Sequence, residues 1–204
     1  MRIVLATANP DKIAEIRSIW ADLPVELISI TDLEGFEPPE ETGTTLSENA
    51  VLKARAAAEF SGLPAVADDT GLVVEALNGE PGVYSSRYAG ETASYEDNRK
   101  LLLERMKGIP EKSRKAEFRT VVALCTPDGD CSTAEGICSG LITNMDRGNG
   151  GFGYDPVFLV PPYGKTFAEM PARLKNSISH RGKAFENARD LIYDLLEKIQ
   201  ATNP

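Results

Sequence analysis

Asp68 and Asp69 close a short apolar run in Pro64-Ala65-Val66-Ala67-Asp68-Asp69-Thr70-Gly71, in a chain that carries one histidine. The run reads as a buried strand over 65–68, with Thr70-Gly71 as a turn and a second strand over 72–75. Adjacent acids repel unless a cation or a shared proton compensates them. Hard oxygen ligands suit Mg²⁺ or Mn²⁺, and such a cation contacts substrate phosphates as well. Taken alone, the dipeptide fits better an Asx-type turn with both acids in water.

Three further segments have chemical potential. Thr7-Ala8-Asn9-Pro10-Asp11-Lys12 lies where a strand passes into a helix, so free backbone N–H groups, the helix dipole and Lys12 together favour an anion. A plain helix cap explains Asn9 equally well. Gly148-Asn149-Gly150-Gly151-Phe152-Gly153 has the letters of a dinucleotide fingerprint, but that motif needs a helix opening within it. Here Tyr154-Asp155-Pro156 follows, and the Asp-Pro step disfavours helix. A loop bringing Phe152 and Tyr154 to a planar ligand fits better than a glycine-rich connector. Lys175 and Ser179-His180-Arg181-Gly182 cluster cations at a helix start, against the dipole, which marks either a ligand site or side chains in water. Lys53 reads as a solvated face or a phosphate ligand.

The elements that must position these residues are readable from caps and periodicity. A strand over 2–6 leads to a helix capped by Asn9, with Pro10 first and Ile13, Ile16, Ile19 and Trp20 on one face. A strand over 25–30 and a loop over 33–43 follow. Thr45-Leu46-Ser47-Glu48 is a capping box for a helix to about Phe60, stopped by Gly62. A glycine-, serine- and tyrosine-rich stretch over 78–93 reads as lining a site or an interface. The pattern predicts a helix over 95–106, strands over 116–126 and 131–143 joined by a hairpin turn, and a last helix over 180–200 capped by Ser179. Its inward positions are Ala184, Ala188, Leu191, Leu195 and Ile199. Helices alternate with strands, so the chain reads as α/β with a mixed β-sheet, one domain over 1–204 with no linker.

Composition narrows the partners. Hydrophobic residues make up 42% and charged residues 26% of 204 positions, ordinary for a globular protein that buries a core. A net charge of −9 argues against nucleic acid and membrane surfaces as partners, and no apolar stretch is long enough to cross a bilayer. A small anion in a local positive patch stays compatible with that charge. Cys125, Cys131 and Cys138 form no metal-type pair and leave an odd thiol, which fits a reduced, cytoplasmic setting.

Together the motifs resemble the inosine triphosphate pyrophosphatase family, hydrolases of non-canonical purine nucleoside triphosphates. The resemblance runs almost end to end: Thr7-x-Asn9-x-x-Lys12, Glu40-Glu41-Thr42-Gly43, Glu48-Asn49-Ala50 with Lys53-Ala54, Ala67-Asp68-Asp69-Thr70-Gly71, Pro81-Gly82-Val83-Tyr84-Ser85, Gly151-Phe152-Gly153-Tyr154-Asp155-Pro156, Lys165-Thr166, Ala168-Glu169-Met170 and Ser179-His180-Arg181-Gly182. Thr70 stands where serine is commoner and Ala8 where glycine is frequent. The resemblance implies an elongated α/β fold, a central mixed β-sheet with flanking helices, two lobes around a substrate cleft, and a homodimer. It implies magnesium-dependent conversion of ITP, dITP and XTP to the monophosphate and pyrophosphate. Asp69 maps to the catalytic base and a metal ligand, Glu40 to a second metal ligand, with Asp68 and Glu41 as further candidates. Thr7, Ala8, Asn9, Pro10, Asp11 and Lys12 map to the triphosphate site, with Lys53 and Thr70 as additional substrate contacts. Phe152, Gly153, Tyr154, Asp155, Lys175, His180 and Arg181 map to nucleotide and base recognition.

The residues suit that chemistry. Attack at the α-phosphorus needs an aligned water, a base and charge neutralisation on the leaving pyrophosphate. Donors from Arg181 or His180 would favour a 6-oxo purine over adenine. The rival readings are a Maf-like pyrophosphatase for other modified nucleotides, a non-catalytic nucleotide-binding regulator, and a dinucleotide-dependent oxidoreductase.

Overall fold

A computed structural model describes residues 1–202 of the chain. It is an α/β protein built on one eight-stranded mixed sheet. In chain order the strands are β1 (Arg2–Leu5), β2 (Glu26–Ser29), β3 (Ala65–Val74), β4 (Pro81–Gly82), β5 (Lys115–Cys125), β6 (Cys131–Ile142), β7 (Phe158–Val160) and β8 (Lys165–Thr166). The helices are α1 (Pro10–Ile19), α2 (Leu46–Ser61), α3 (Tyr95–Arg105), α4 (Ala172–Ile178), α5 (His180–Asn187) and α6 (Arg189–Thr202). The sheet runs β2-β1-β3-β5-β6-β7-β8, with β4 paired to β3. β1 pairs in parallel with β2 and β3, whereas β3–β4, β6–β7 and β7–β8 are antiparallel.

The chain divides into two compact units, one of residues 1–69, 120–136 and 181 onward, the other of residues 70–119 and 137–180. In the first, strand alternation sorts side chains onto two helical layers. Ile3, Leu5, Val66, Val122 and Leu124 pack with Ile16 and Trp20 of α1 and with Ala184, Phe185 and Ile192. Val4, Ala6, Ala65, Ala67, Val121 and Ala123 meet Ala50, Ala54, Ala57 and Ala58 of α2. Those alanines recur at helical spacing on one face, so the α2 backbone lies close to the strands that hold the acids. In the second unit, Leu102 of α3 and Met106, the residue that follows that helix, pack with Leu72, Val74, Phe118, Phe158 and Phe167.

Local signals set the helix starts. Asn9 accepts the N–H groups of Asp11 and Lys12 with Pro10 first in α1, Thr45 and Glu48 form the capping box of α2, and Gly62 ends it in the left-handed conformation at φ 65°. Three expectations are corrected. The acid pair is not a turn between two strands: β3 runs unbroken from Ala65 to Val74 through Asp68, Asp69, Thr70 and Gly71. The last helix is interrupted at Ala188, where Asn187 donates to the Glu135 carbonyl and Arg189 to Asp22 and the Ile19 carbonyl. Its apolar stripe also ends early, because Ile199 is 38% exposed. Finally, Cys125 and Cys131 form a disulfide across the β5–β6 hairpin, with Cys138 a buried thiol outside it. The hairpin brings the ends of its two strands together, a pairing that cysteine spacing alone does not reveal. The three cysteines are therefore not all thiols.

Candidate active site

Asp68 and Asp69 sit side by side on β3 with their carboxylates buried, and each is matched by cations from other elements. Asp68 Oδ2 lies 3.0 Å from Lys12 Nζ on α1 and 3.2 Å from Arg181 Nη2 on α5. Arg181 Nη1 in turn lies 2.8 Å from Glu15 Oε2 on α1. Asp69 Oδ1 receives Lys53 Nζ of α2 at 2.8 Å, and the same ammonium reaches Glu41 Oε1 at 2.7 Å. Asn49, one turn before Lys53 on α2, donates to Asp69 Oδ2 at 3.4 Å. Its own Oδ1 accepts the Gly43 N–H at 2.8 Å. Gly43 allows that close approach, since a Cβ there would stand 2.5 Å from Asn49 Oδ1. These neighbours explain why a strand passes straight through two acids: the repulsion is offset by charge from elsewhere in the chain.

The two acids differ in proton affinity. Burial opposes ionisation of Asp68, but Lys12, Arg181 and Lys53 outweigh it and hold that carboxyl well below the usual carboxylate range. Burial pushes the Asp69 carboxyl up, and Lys53 only partly offsets this. An unlike pair of this kind assigns Asp68 to a fixed negative charge and Asp69 to the more basic oxygen.

Four carboxylates (Glu15, Glu41, Asp68, Asp69) stand here against three cations (Lys12, Lys53, Arg181). The concentrated positive patch expected for an anionic substrate is therefore absent from this cluster, and a bound triphosphate would need additional positive charge. The donor set fits Mg²⁺ or Mn²⁺ in that role: Glu41 and Asp69 already converge on a single cation, the Lys53 ammonium. Glu40 is exposed and adjacent in the chain. Among the described residues, no ready-made group of three or more His, Cys, Asp or Glu ligands stands together, so substrate oxygens would complete the shell.

The 7–12 segment is a true helix cap. Asn9 Oδ1 takes the Asp11 and Lys12 N–H groups at 2.9 and 3.3 Å, and Thr7 Oγ1 takes the Asn9 N–H at 3.2 Å. Those amides are thus already engaged, and Lys12 Nζ is the group of this segment that joins the acids. Ala8, Pro10 and Asp11 are exposed.

The second unit holds a separate cluster. Phe152 and Asp155 close a tight turn, with the Phe152 N–H on Asp155 Oδ2 at 2.9 Å and the Asp155 N–H on the Phe152 carbonyl at 3.1 Å. Lys175, on α4, reaches Asp155 Oδ2 at 2.5 Å and lies 4.8 Å from the Phe152 ring centroid. Gly151 is required by this turn: φ is +67° and a Cβ would overlap the Asp155 carboxylate. Gly153 follows at φ +58°. Tyr154 is buried, its hydroxyl donating to the Ser85 carbonyl at 2.9 Å. His180 stacks on Phe118 with centroids 4.3 Å apart and planes 15° off parallel.

The structure thus brings Lys12, Lys53, Asp68, Asp69, Glu41 and Arg181 together, and separately Phe152, Asp155 and Lys175. Arg181 is 2% exposed and tied to two acids, so it could reach a base only by giving one of them up. Tyr154 points its hydroxyl into its own unit's core. Sequence reasoning missed Glu15, and it named Asn49 within a motif without giving it a role. Their spacing held a signal, since Glu15 follows Lys12 by three and Asn49 precedes Lys53 by four, each pair on one helix face.

The Ham1 family model matches residues 3–191. A dITP/XTP pyrophosphatase of Desulforamulus reducens is 48% identical over 192 residues, 94% of this chain and 96% of that protein. One from Geobacter sulfurreducens is 49% identical over 189 residues, 93% of this chain and 95% of the relative. The solved structure of a HAM1 protein from Coxiella burnetii superposes with a TM-score of 0.86 at 41% identity, over 95% of this chain and 99% of its own. A nucleoside-triphosphatase, dITP/XTP pyrophosphatase from Mycobacterium abscessus gives 0.73 at 40% identity, over 91% and 96%. With matches spanning nearly the whole of both partners, this chain belongs to the Ham1 family.

Proposed function

We propose that this chain hydrolyses the non-canonical purine nucleoside triphosphates ITP, dITP and XTP to the monophosphate and pyrophosphate. The observation that carries the reading is the unlike acid pair on β3. Asp69, made more basic by burial, sits between Lys53 and Asn49, beside an Asp68 that is fixed as an anion. The names of the relatives supply the substrate class.

In this reading Asp69 orients a water and accepts its proton as the water attacks the α-phosphorus; the bond to the β-phosphate bridging oxygen breaks, and pyrophosphate leaves. Lys53 favours the ionised form of Asp69, and Asn49 fixes the plane of its carboxylate. Lys12 and Lys53 offset the charge growing on the leaving group. Mg²⁺ or Mn²⁺, held by Asp69 and Glu41 with Glu40 alongside, would supply the charge neutralisation that the cluster itself lacks. Arg181 and Glu15 hold Asp68, and through it Lys12, in place. Thr7, Asn9 and Thr70 supply hydroxyl and amide contacts to the phosphates.

Base recognition falls to the second cluster. Phe152 offers a ring face, and Lys175 a donor that suits the 6-oxo group of hypoxanthine and xanthine but not the 6-amino group of adenine. Asp155 keeps that ammonium aimed, and His180 borders the same aromatic group. We infer a homodimer from the family resemblance, and a cytoplasmic setting from a substrate that is a free nucleoside triphosphate.

A substrate panel tests the reading. ITP, dITP and XTP should release pyrophosphate and monophosphate with Mg²⁺ present, and ATP should do so at least tenfold more slowly, about the discrimination one unpaired buried donor provides. Tight ITP binding without pyrophosphate would mark a regulator. Orthophosphate release, or equal rates on ATP, would overturn the assignment.

A further inference from the structure

Phe152 lies on a segment with little conformational preference of its own. Gly148, Gly151 and Gly153 all have positive φ, at +85°, +67° and +58°, and glycine does not hold one geometry by itself. Two side chains one helical turn apart on α3 add restraint to that of the Asp155 turn. The Tyr95 ring lies 6.0 Å from the Phe152 ring at 40° between planes. Arg99 donates Nη1 to the Gly153 carbonyl at 2.9 Å and Nε to Asp146 Oδ2 at 2.9 Å. One planar guanidinium thus joins the residue after Phe152 to the approach of the loop, a bridge that a point-charge ammonium does not reproduce. Its side chain is 15% exposed, whereas Lys100 beside it on α3 is 69% exposed.

We propose that Arg99, backed by Tyr95, is a positioning residue that fixes the Phe152 ring for the base and thereby sets substrate affinity without acting on the reacting phosphorus. This rests on the reading that Phe152 stacks on the purine. The asymmetry follows from where Arg99 binds: its partners are a backbone carbonyl and a loop carboxylate, and it makes no bond to Asp68, Asp69, Lys12 or Lys53 among its hydrogen bonds and ion pairs.

The test is steady-state kinetics on ITP for Arg99→Ala, Asp146→Ala, Arg99→Lys and Phe152→Ala, with Lys100→Ala as control. Arg99→Ala should raise KM about tenfold with kcat within about twofold, a loss expected from a mispositioned binding group. Asp146→Ala, which removes only an exposed carboxylate, should raise KM less, and Arg99→Lys should lie between Arg99→Ala and the parent. Lys100→Ala should change nothing. Combining Arg99→Ala with Phe152→Ala should add little to Phe152→Ala alone, because both act through one ring. Asp146→Ala carries the test if Arg99→Ala fails to fold. A fall in kcat at constant KM, or fully additive effects, would overturn the proposal while leaving the stacking reading intact. An unchanged KM in Phe152→Ala would overturn the stacking reading, and the proposal with it.

Discussion

Replacing Arg181 with methionine removes a cation that Asp68 and Glu15 share. The Arg181 side chain is 2% exposed and that of Asp68 is 0% exposed, with the two at 3.2 Å and Glu15 at 2.8 Å. At an effective dielectric near 20, a unit pair at about 4 Å interacts by about 4 kcal/mol. Lys12 remains on Asp68, and Glu15 has some access to water, so part of each interaction is recovered. Breaking a buried pair from one side costs about 3–5 kcal/mol, which is a large share of the roughly 5–15 kcal/mol of a typical domain. Urea denaturation followed by circular dichroism near pH 7 measures this loss. The pH dependence adds a second check. A carboxyl held below its unfolded value contributes stability above about pH 4, and that contribution fades as the unfolded chain takes up protons below it. Without Arg181 the Asp68 carboxyl rises toward its ordinary value, so the gap between parent and variant should be full at neutral pH and narrow below about pH 4. A loss under about 1 kcal/mol, the size of a surface pair, or a gap that widens in acid, would refute the buried-charge reasoning.

Three further outcomes follow from the same geometry. Asp69→Asn keeps the shape but loses basicity and a charged ligand, so kcat on ITP should fall at least about 10²-fold in a protein that is folded by circular dichroism; retention of a tenth of the parent rate would remove Asp69 as the base. Lys12→Ala should weaken ITP binding in calorimetry much more than IMP binding, because its ammonium sits with the acids rather than with Phe152; equal losses would relocate it. Cys131→Ser should cost about 2 kcal/mol in urea unfolding under non-reducing conditions, the value for so short a closed loop, and that difference from the parent should vanish once a thiol reductant is added.

What the sequence made legible was local. Asn9-Pro10, Thr45 with Glu48, and Gly62 each act through atoms a few residues away, so the starts of α1 and α2 and the end of α2 follow from them directly. The strand through Asp68 and Asp69 did not read through, because the charges that permit it come from Lys12, Lys53 and Arg181 on three different helices. The same distance hides the bond between Glu15 and Arg181, 166 residues apart. The disulfide was hidden because hairpin register, not cysteine spacing, brings Cys125 and Cys131 together. The acids, Lys12, Lys53 and the Phe152 loop were legible as separate motifs. Their grouping into an acid–lysine cluster and an aromatic–lysine cluster needed the fold.

The central claim is that water, activated by Asp69, attacks the α-phosphorus. Turnover of ITP in water enriched in heavy oxygen, with both products analysed by mass spectrometry, tests it most directly. The account predicts one labelled oxygen in inosine monophosphate and none in pyrophosphate. Label in the pyrophosphate would place the attack on the β-phosphorus and contradict the account.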